Sequence, residues 1–479
     1  MTSMLQTFFE YTVYFYSLAI FSSYLFLTIS AFFSIWRSKC YRVPLYENSI
    51  IRHSVYTPGI SIVAPAYNEE KTVIDNVNSL LSLDYPCYEV VLVNDGSKDK
   101  TLEKLIEHFE LKEEPVLYIE RIKTKAPFRK ILKSTNPAYK NLVVVDKENG
   151  GTKADASNAG INAASYDYFV CTDVDCILAK DALYRVIHPV LNSPHKVIAV
   201  SAVMRMANGC EMANGVIKSV YPPKTLIPLF QENEYLRSFL MGKQGWSTIN
   251  AMPNVSGGFG LFDRSVVINA GGYDPNSFAE DMDLVIRMIS YMCDNAQSYR
   301  VVQIPYTCCW TEGPYSLSIL NRQRTRWARG LLQLFSSHYK LMFNPRYKQL
   351  SMLTLPYLFV FELIAPIIEV IGLLIIIYLY FATGLNWSTA WIILLFTYLY
   401  AQTVGIFVFR YDIYIGTPYK GRFNYFRLFL VALIEPVIYH PICSFFSLKG
   451  YFNYLTQREF KWGNMTRKGF QKTTQPAKA

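Results

Sequence analysis

The stretch ISIVAPAYNEEKTVIDNVNSLL, residues 60–81, decides the fold of this chain. Its first five residues form an apolar, largely β-branched run that predicts a strand, and Pro65 ends that run. After residue 68 the apolar residues recur at helical spacing and share one face: Ile74, Val77, Leu80 and Leu81. A strand, a turn and an amphipathic helix in this order form the repeating unit of α/β domains.

The same unit recurs further along the chain. Additional strands are predicted at residues 89–93, 142–145 and 168–172. Helices follow the first two of these strands, around residues 102–106 and 154–164. Strands that alternate with helices predict a mostly parallel sheet covered on both faces, whose ligands lie at the carboxyl ends of the strands.

Long apolar runs flank this α/β region at both ends. The chain has 479 residues, of which 51% are hydrophobic and 15% aromatic, which is high for a soluble enzyme. The runs lie at residues 8–36, 353–381, 387–409 and 426–448. Each is near the ~20 residues that a spanning helix needs, so the sequence predicts a membrane protein.

Basic residues set the predicted orientation. Arg37, Lys39 and Arg42 follow the first run, which lacks the features of a cleaved signal peptide, so the positive-inside rule puts the C-terminal end of this run in the cytosol. The region between the runs is then cytosolic. The last run differs, because Pro436 and Pro441 interrupt it and a basic tail follows. We therefore expect a broken or interfacial segment there.

The distribution of charge, the spacing of cysteines and the pattern of glycines argue against several other classes of protein. Much of the formal net charge of +10 lies beside the apolar runs, where it meets anionic lipid headgroups, so no nucleic acid is expected as a partner. The nine cysteines show no C-x-x-C spacing, which argues against a zinc site and a redox pair. Residues 150–153 (GGTK) lack the spacing of a P-loop, and no G-x-G-x-x-G follows the first strand.

Carboxylates follow two of the predicted strands. Asp95 comes after residues 89–93, and Asp173 and Asp175 come directly after residues 168–172. Two carboxylates separated by one residue reach the same small volume, where a divalent cation relieves their repulsion, and oxygen ligands select Mg²⁺ or Mn²⁺. The alternative is a solvated turn, because Asp is common in loops.

Two further groups lie later in the chain. Residues 280–283 (EDMD) bring carboxylates to the start of a predicted helix, where the helix dipole alone already favours them. Gln323, Arg326 and Trp327 stand at i, i+3 and i+4 and share one helix face. An Arg can grip a diphosphate, and a Trp offers a flat surface to a sugar ring. An interfacial helix with a Trp anchor and snorkelling arginines is the alternative.

Together these motifs resemble the four ordered signatures of membrane-bound family 2 glycosyltransferases, the synthases of cellulose, chitin, hyaluronan and poly-N-acetylglucosamine. The matching segments are residues 60–97, 173–175, 279–281 and 323–327. The resemblance covers residues 58–333 and implies a GT-A fold, a Rossmann-like α/β domain with a mostly parallel sheet, flanked by transmembrane helices.

The resemblance also implies a role for each matching residue. Asp281 is the expected catalytic base, and the expected metal ligands are Asp175 and Asp173, with Mg²⁺ or Mn²⁺ as cofactor. The expected donor-binding residues are Tyr67, Glu69, Asp95, Lys153, Asp173 and Arg326. The expected acceptor-binding residues are Glu280, Gln323 and Trp327.

Two departures from the family pattern lie beside these residues. Ala279 stands where Thr is usual, and Asn94 stands where a second Asp is frequent, which leaves Asp95 to act alone. An insert at residues 204–246 is expected near the acceptor or the membrane surface. A plain surface helix is the alternative for the insert.

The predicted organisation has five parts: a transmembrane anchor at 1–36, a linker at 37–57, a cytosolic GT-A domain at 58–345 with an interfacial helix around 318–340, a transmembrane module at 346–450, and a basic cytosolic or interfacial tail at 451–479. The expected location is the cell membrane (inner or plasma), with several crossings. Glu362, Glu369 and Glu435 lie inside apolar runs and are expected to line a product path or to bind each other.

The predicted function is that of an inverting, metal-dependent hexosyltransferase that uses a UDP-sugar to elongate a β-linked polysaccharide, with coupled export as an open possibility. The expected partners are a nucleotide-sugar donor (UDP-GlcNAc or UDP-Glc by analogy), a glycan or lipid acceptor and membrane lipids, and an accessory subunit is left open. The alternatives are transfer of one sugar to a lipid acceptor and a non-catalytic scaffold or export subunit.

Overall fold

The computed structural model describes residues 2–40, 45–115, 118–213, 216–382, 387–416, 419 and 422–457. Arg42 and the part of the basic tail from residue 458 onward, which entered the predictions above, lie outside the described residues.

The strands are β1 (Ile60–Ala66), β2 (Tyr88–Asp95), β3 (Leu111–Glu113), β4 (Phe128–Ser134), β5 (Leu142–Lys147), β6 (Tyr168–Thr172), β7 (Ile177–Leu178), β8 (Lys196–Met206), β9 (Glu211–Ala213), β10 (Val216–Ser219), β11 (Phe259–Asp263) and β12 (Tyr299–Thr311). The helices are α1 (Thr2–Cys40), α2 (Leu45–His53), α3 (Val73–Leu81), α4 (Thr101–Phe109), α5 (Lys153–Ala163), α6 (Ala182–Asn192), α7 (Leu226–Arg237), α8 (Gln244–Thr248), α9 (Arg264–Asn269), α10 (Glu280–Asp294), α11 (Leu317–His338), α12 (Leu355–Leu358), α13 (Ala365–Phe381), α14 (Trp387–Ile415) and α15 (Arg422–Leu455). Short π-helical turns lie at Ser238–Lys243, Leu350–Thr354 and Phe359–Leu363.

In the described part of the chain, ten strands form one mixed sheet in the order β3-β4-β5-β2-β1-β6-β11-β8-β12-β7. The central strands β5, β2, β1 and β6 are parallel, as predicted. Strand β11 lies antiparallel between β6 and β8, which makes the sheet less parallel than expected. Periodicity predicts that a strand exists, but the direction of its neighbour depends on the path of the connecting chain.

The central strands are buried on both faces. In β1, Ile62 faces one side of the sheet and packs into the same apolar cluster as Leu92, whereas Val63 and Val93 belong to the cluster on the other side. Strands covered on both faces read as continuous apolar runs, which is the pattern that predicted them. The predicted helices at 68–81, 102–106 and 154–164 correspond to α3, α4 and α5.

Four helical segments in the described residues are long and apolar enough to cross a membrane: Tyr14–Trp36, Leu350–Phe381, Ala390–Ile415 and Phe423–Leu455. The expected break in the last segment is wrong, because α15 continues through Pro436 and Pro441. Proline removes one helical N–H, and the carbonyl four residues before Pro436 is that of Ala432. The side chain of Gln402 on α14 donates to this carbonyl at 3.0 Å, so a neighbouring helix satisfies the freed group.

The insert at 204–246 is not a plain surface helix. It contains α7, most of which is buried between the sheet and the apolar helices. Asn233 donates to the carbonyl of Leu428 on α15 at 3.0 Å, and Gln244 donates to Ser34 on α1 at 2.6 Å. The insert therefore joins the α/β domain to helices at both ends of the chain.

Two of the three glutamates in the apolar segments contact residues other than the glutamates themselves. Glu369 accepts a hydrogen bond from Ser444 at 2.6 Å and lies 3.0 Å from His440. Glu435 pairs with Arg237 of the insert, with Nη1 and Oε2 2.7 Å apart. Partners of this kind offset the cost of a carboxylate in an apolar segment.

Candidate active site

The acidic pair lies where β6 ends. The Asp175 side chain is buried and that of Asp173 is partly exposed. Ligand atoms of Asp173, Asp175 and Cys176 lie within 4.8 Å of one another, a spacing that one cation can span, because oxygen ligands sit roughly 2.0–2.6 Å from Mg²⁺ or Ca²⁺. The two carboxylates suit Mg²⁺ or Mn²⁺, while the thiol of Cys176 is a softer donor that sequence reasoning missed.

Lys153, the first residue of α5, connects this pair to the loop before β11. Its Nζ lies 2.6 Å from Oδ1 of Asp173 and donates to the carbonyl oxygen of Gly257 at 2.6 Å. Burial opposes the charge of Lys153, but the carboxylate of Asp173 raises the pKa of this lysine above its usual value. Lys153 is therefore a fixed cation beside the acidic pair.

Asp281 approaches the same loop from α10. Its Oδ2 accepts the N–H of Gly257 at 3.1 Å, and its Oδ1 accepts the N–H of Met282 at 2.9 Å. The N–H of Gly257 thus contacts Asp281, and its carbonyl contacts Lys153, which in turn pairs with Asp173. The structure brings together carboxylates that lie more than a hundred residues apart.

Glu280 and Arg326 face each other beside Asp281. Their charged atoms are 3.6 Å apart, and the side chain of Glu280 is buried. Burial raises the pKa of Glu280, with the Arg326 charge acting in the opposite direction. Helix α11 approaches this point closely because residue 330 is glycine: a Cβ there would lie 2.7 Å from the Cβ of Ala279.

Asp95 lies at the end of β2 within a buried ion network. Its Oδ1 lies 2.9 Å from Nζ of Lys147, which is fully buried and also contacts Asp155 at 2.7 Å. The N–H of Gly150 donates to the same oxygen of Asp95 at 3.1 Å. Lys147 and Asp155 were not predicted, and both are buried beside Asp95.

Tyr67 and Glu69 lie in the loop between β1 and α3. Asn68 between them has a φ of 55°, in the left-handed region, and its side chain accepts the N–H of Lys98 at 2.8 Å. The loop is therefore fastened to the turn after β2. Tyr67 is 38% exposed, so its ring is accessible to a ligand, while Glu69 accepts from Thr72 at 3.0 Å.

Gln323 and Trp327 lie on α11, which forms as predicted. Gln231 of α7 donates to Gln323 at 3.3 Å, and the guanidinium of Arg324 lies 4.6 Å from the centre of the Trp327 ring. Arg324 is a residue that the sequence reasoning passed over. Gln323 contacts the insert directly, and Trp327 is linked to it through Arg324, which binds Glu234 of α7.

A mixed α/β sheet with carboxylates at the ends of β2 and β6 is the arrangement of GT-A glycosyltransferases. The family model "Glycosyltransferase like family 2" matches residues 58–330. The chain therefore belongs to glycosyltransferase family 2.

Relatives and solved structures agree with this membership. The poly-beta-1,6-N-acetyl-D-glucosamine synthase of Staphylococcus aureus is 29% identical over 293 residues, which are 60% of this chain and 59% of that protein. The enzyme of the same name from Staphylococcus epidermidis is 30% identical over 313 residues, 64% of this chain and 62% of that protein. The chain thus matches less than two thirds of the length of each relative.

A mannosyltransferase from Pyrobaculum calidifontis, solved in complex with GDP-Man and Mn²⁺, shares the fold. Its TM-score is 0.51 at 18% identity, and the match covers 93% of this chain and 99% of that chain. The predicted GT-A fold is confirmed, and the prediction that the chain is a glycosyltransferase is confirmed by the family match.

Proposed function

We propose that this chain is a membrane-embedded, inverting glycosyltransferase that uses a UDP-sugar and Mg²⁺ or Mn²⁺ to elongate a β-linked polysaccharide. The observation that carries the proposal is residue Gly257, whose N–H binds Asp281 and whose carbonyl binds Lys153, the partner of Asp173. A base and a donor-facing acidic pair in one small volume suit a direct displacement. The name of the Staphylococcus relatives supports UDP-N-acetylglucosamine as the first donor to test.

Asp281 is the proposed base. An acceptor hydroxyl is a poor nucleophile, and a carboxylate that takes its proton accelerates transfer by roughly 10²- to 10⁴-fold. Two backbone N–H groups already bind this carboxylate and fix its orientation. One base and one direct attack invert the anomeric carbon, so an α-linked donor gives a β-linked product.

The donor side has three proposed parts. Asp95 and the loop with Tyr67 and Glu69 hold the nucleotide. Lys153 keeps Asp173 in place, and Arg326 supplies positive charge for the departing diphosphate. A divalent cation held by Asp175 and Asp173 supplies, when bound, further neutralisation of that charge.

The acceptor side has Glu280, Gln323 and Trp327, with the Trp ring as a stacking surface for a sugar. We place the α/β domain in the cytosol, because Arg37 and Lys39 follow the first apolar segment. The helices then cross the cell membrane several times, and the growing glycan begins next to them. Export through the same protein is consistent with this arrangement.

The test is a donor screen on the purified full-length chain. Release of nucleoside diphosphate is measured for UDP-GlcNAc and UDP-Glc, with Mg²⁺, Mn²⁺ or a chelator, and the products are sized. A ladder of glycans that depends on the metal is the expected result. One sugar on a lipid supports the alternative of single transfer, and no release with any donor contradicts the proposal.

A further inference from the structure

A three-residue cluster joins α7, α11 and α15 next to the proposed acceptor side. Glu234 on α7 binds the guanidinium of Arg324 on α11 through both carboxylate oxygens, and one of these contacts measures 2.6 Å. The Tyr439 hydroxyl on α15 accepts from Arg324 at 2.8 Å and donates to Glu234 at 3.1 Å. Each of the three side chains contacts the other two.

The same guanidinium covers part of the Trp327 ring. Its carbon lies 4.6 Å from the centre of that ring and 5.7 Å from the centre of the Tyr439 ring. A cation over an aromatic face is held by the ring quadrupole, so the position of Arg324 restricts the rotamers of Trp327. A bidentate pair with a carboxylate in turn restricts Arg324, because its planar fork fits one orientation.

Charge and burial keep this cluster ionised. Burial opposes ionisation of Glu234, but the guanidinium of Arg324 lowers the pKa of that carboxyl below its usual value. Burial also opposes the charge of Arg324, and the carboxylate of Glu234 raises the pKa of the guanidinium. The pair is therefore charged at neutral pH and resists separation.

The insert also contacts α11 one turn before Trp327, at Gln323. Gln231, one turn before Glu234, donates to Gln323 at 3.3 Å. Phe230 stacks on Tyr439 with ring centres 5.0 Å apart and an interplanar angle of 20°. Helix α7 thus contacts Gln323 directly, is linked to Trp327 through Arg324, and at the same time contacts the apolar helix α15.

We propose that Glu234 and Arg324 are positioning residues that hold Trp327 in the orientation in which it receives the acceptor sugar, with Tyr439 tying that orientation to α15. This inference rests on the proposed function, since it takes Trp327 as an acceptor-binding residue. Neither residue touches the reacting atoms. Their effect is on acceptor affinity and on how many sugars are added before the product leaves.

A second ion pair in the same helices provides a matched control. Arg237, one turn after Glu234 on α7, binds Glu435 on α15 through both carboxylate oxygens, with one contact at 2.7 Å. It also joins the insert to the last apolar segment. The contacts described for this pair do not include Trp327, so Glu435→Gln weakens the same interface without releasing the ring.

The experiment compares Glu234→Gln, Arg324→Lys and Glu435→Gln in the full-length protein. With the acceptor that the wild type uses, Glu234→Gln and Arg324→Lys raise the acceptor KM about tenfold and shorten the products, because a small misplacement of a binding group is costly. The donor KM and donor hydrolysis without acceptor change less than about twofold, as expected when a change spares donor binding. Glu435→Gln keeps the wild-type acceptor KM.

The fluorescence emission of Trp327 reports the position of its ring and so tests this inference separately from the proposed function. The emission of Trp327 is obtained by subtracting the spectrum of Trp327→Phe, and it changes in Glu234→Gln but not in Glu435→Gln. If the ring emission is unchanged, or if both glutamate variants share one kinetic profile, the positioning role is wrong. A wild type that is inactive on every donor overturns the proposed function, while the emission test still decides the position of the ring.

Discussion

The two ends of the candidate site are built in different ways. At the proposed donor end, the charged partners all lie within the α/β domain: Lys147 pairs with both Asp95 and Asp155, and Lys153 pairs with Asp173. At the proposed acceptor end, Arg324, which lies over the Trp327 ring, binds Glu234 of the insert and Tyr439 of the apolar helix α15.

Under the proposed function, the difference separates a donor side built within the α/β domain from an acceptor side shared with the apolar helix α15. Changes that disturb the contact of α11 with Glu234 or with α15 are then expected to affect the acceptor and spare the donor. Changes in the buried charges at the ends of β2 and β5 are expected to affect donor binding and the folding of the whole domain. The predictions below separate these two effects, from the largest to the smallest.

Asp281→Asn tests the point where the two ends meet. The amide keeps the shape and the acceptor oxygen for Gly257 but cannot take a proton, so transfer falls by roughly 10²- to 10⁴-fold. Donor affinity, measured by calorimetry, stays close to that of the wild type. Asp283→Asn is the control on the same helix, since Asp283 binds Arg287 and His338 instead of Gly257. Full turnover by Asp281→Asn would refute the assignment.

Lys147→Met tests the self-contained donor end. The variant leaves two buried carboxylates without their cation, and breaking a buried pair in this way costs about 3–5 kcal/mol. We expect a large drop in the unfolding midpoint and loss of donor binding. Lys133→Met, which removes a largely exposed pair with Glu114, changes stability by less than about 1 kcal/mol. Equal stability of the two variants would contradict the role of the network.

Gly450→Ala tests the shared acceptor end. A Cβ at residue 450 would lie 2.7 Å from the Cβ of Ala328 and 2.7 Å from the carbonyl oxygen of Thr325, so α15 must move away from α11. Overpacking of this kind costs about 1–3 kcal/mol. The acceptor KM is expected to rise several-fold while the donor KM stays constant.

Gly372→Ala on α13 is the control for that variant, because within the described residues nothing lies within 4 Å of its Cβ. It is expected to behave like the wild type in both KM measurements. A rise of the donor KM in Gly450→Ala alone would show that the two ends are not separate.

The last test changes Lys243 and measures the pH dependence of stability. Burial lowers the pKa of Lys243 to about 8, with the charge of Asp281 acting in the opposite direction. Between pH 8 and the ordinary lysine pKa of 10.5, the unfolded state holds a proton that the folded state has lost. Stability from this group therefore rises with pH there, by at most about 1.4 kcal/mol per pH unit.

The measurement is the unfolding midpoint of the wild type and of Lys243→Met at pH 7.5 to 10. The variant is expected to be more stable at pH 7.5, with a difference that shrinks as the pH rises. Parallel curves for the two proteins would contradict the burial of a charged Lys243.

The positions of several residues of the candidate site were predictable because their signals are local. Asp95, Asp173 and Asp175 directly follow apolar strands, and the carboxyl ends of parallel strands meet at one edge. The i, i+4 spacing placed Gln323 and Trp327 on one helix face before the fold was known. Lys147 and Arg324 gave no such signal, because a lysine at a strand end and a second arginine in a basic helix both read as ordinary surface residues.

The sequence by itself determined the strand–turn–helix order, the positions of the acids at the strand ends and the apolar segments, because these follow from side-chain period and from neighbours within one element. Only the tertiary structure decided that α15 runs through two prolines and that Lys147 is buried between two carboxylates. It also decided that Glu234 of the insert binds Arg324. Those outcomes depend on groups far apart in the chain: a carbonyl freed by proline or a buried charge is tolerated only where folding brings a partner to it.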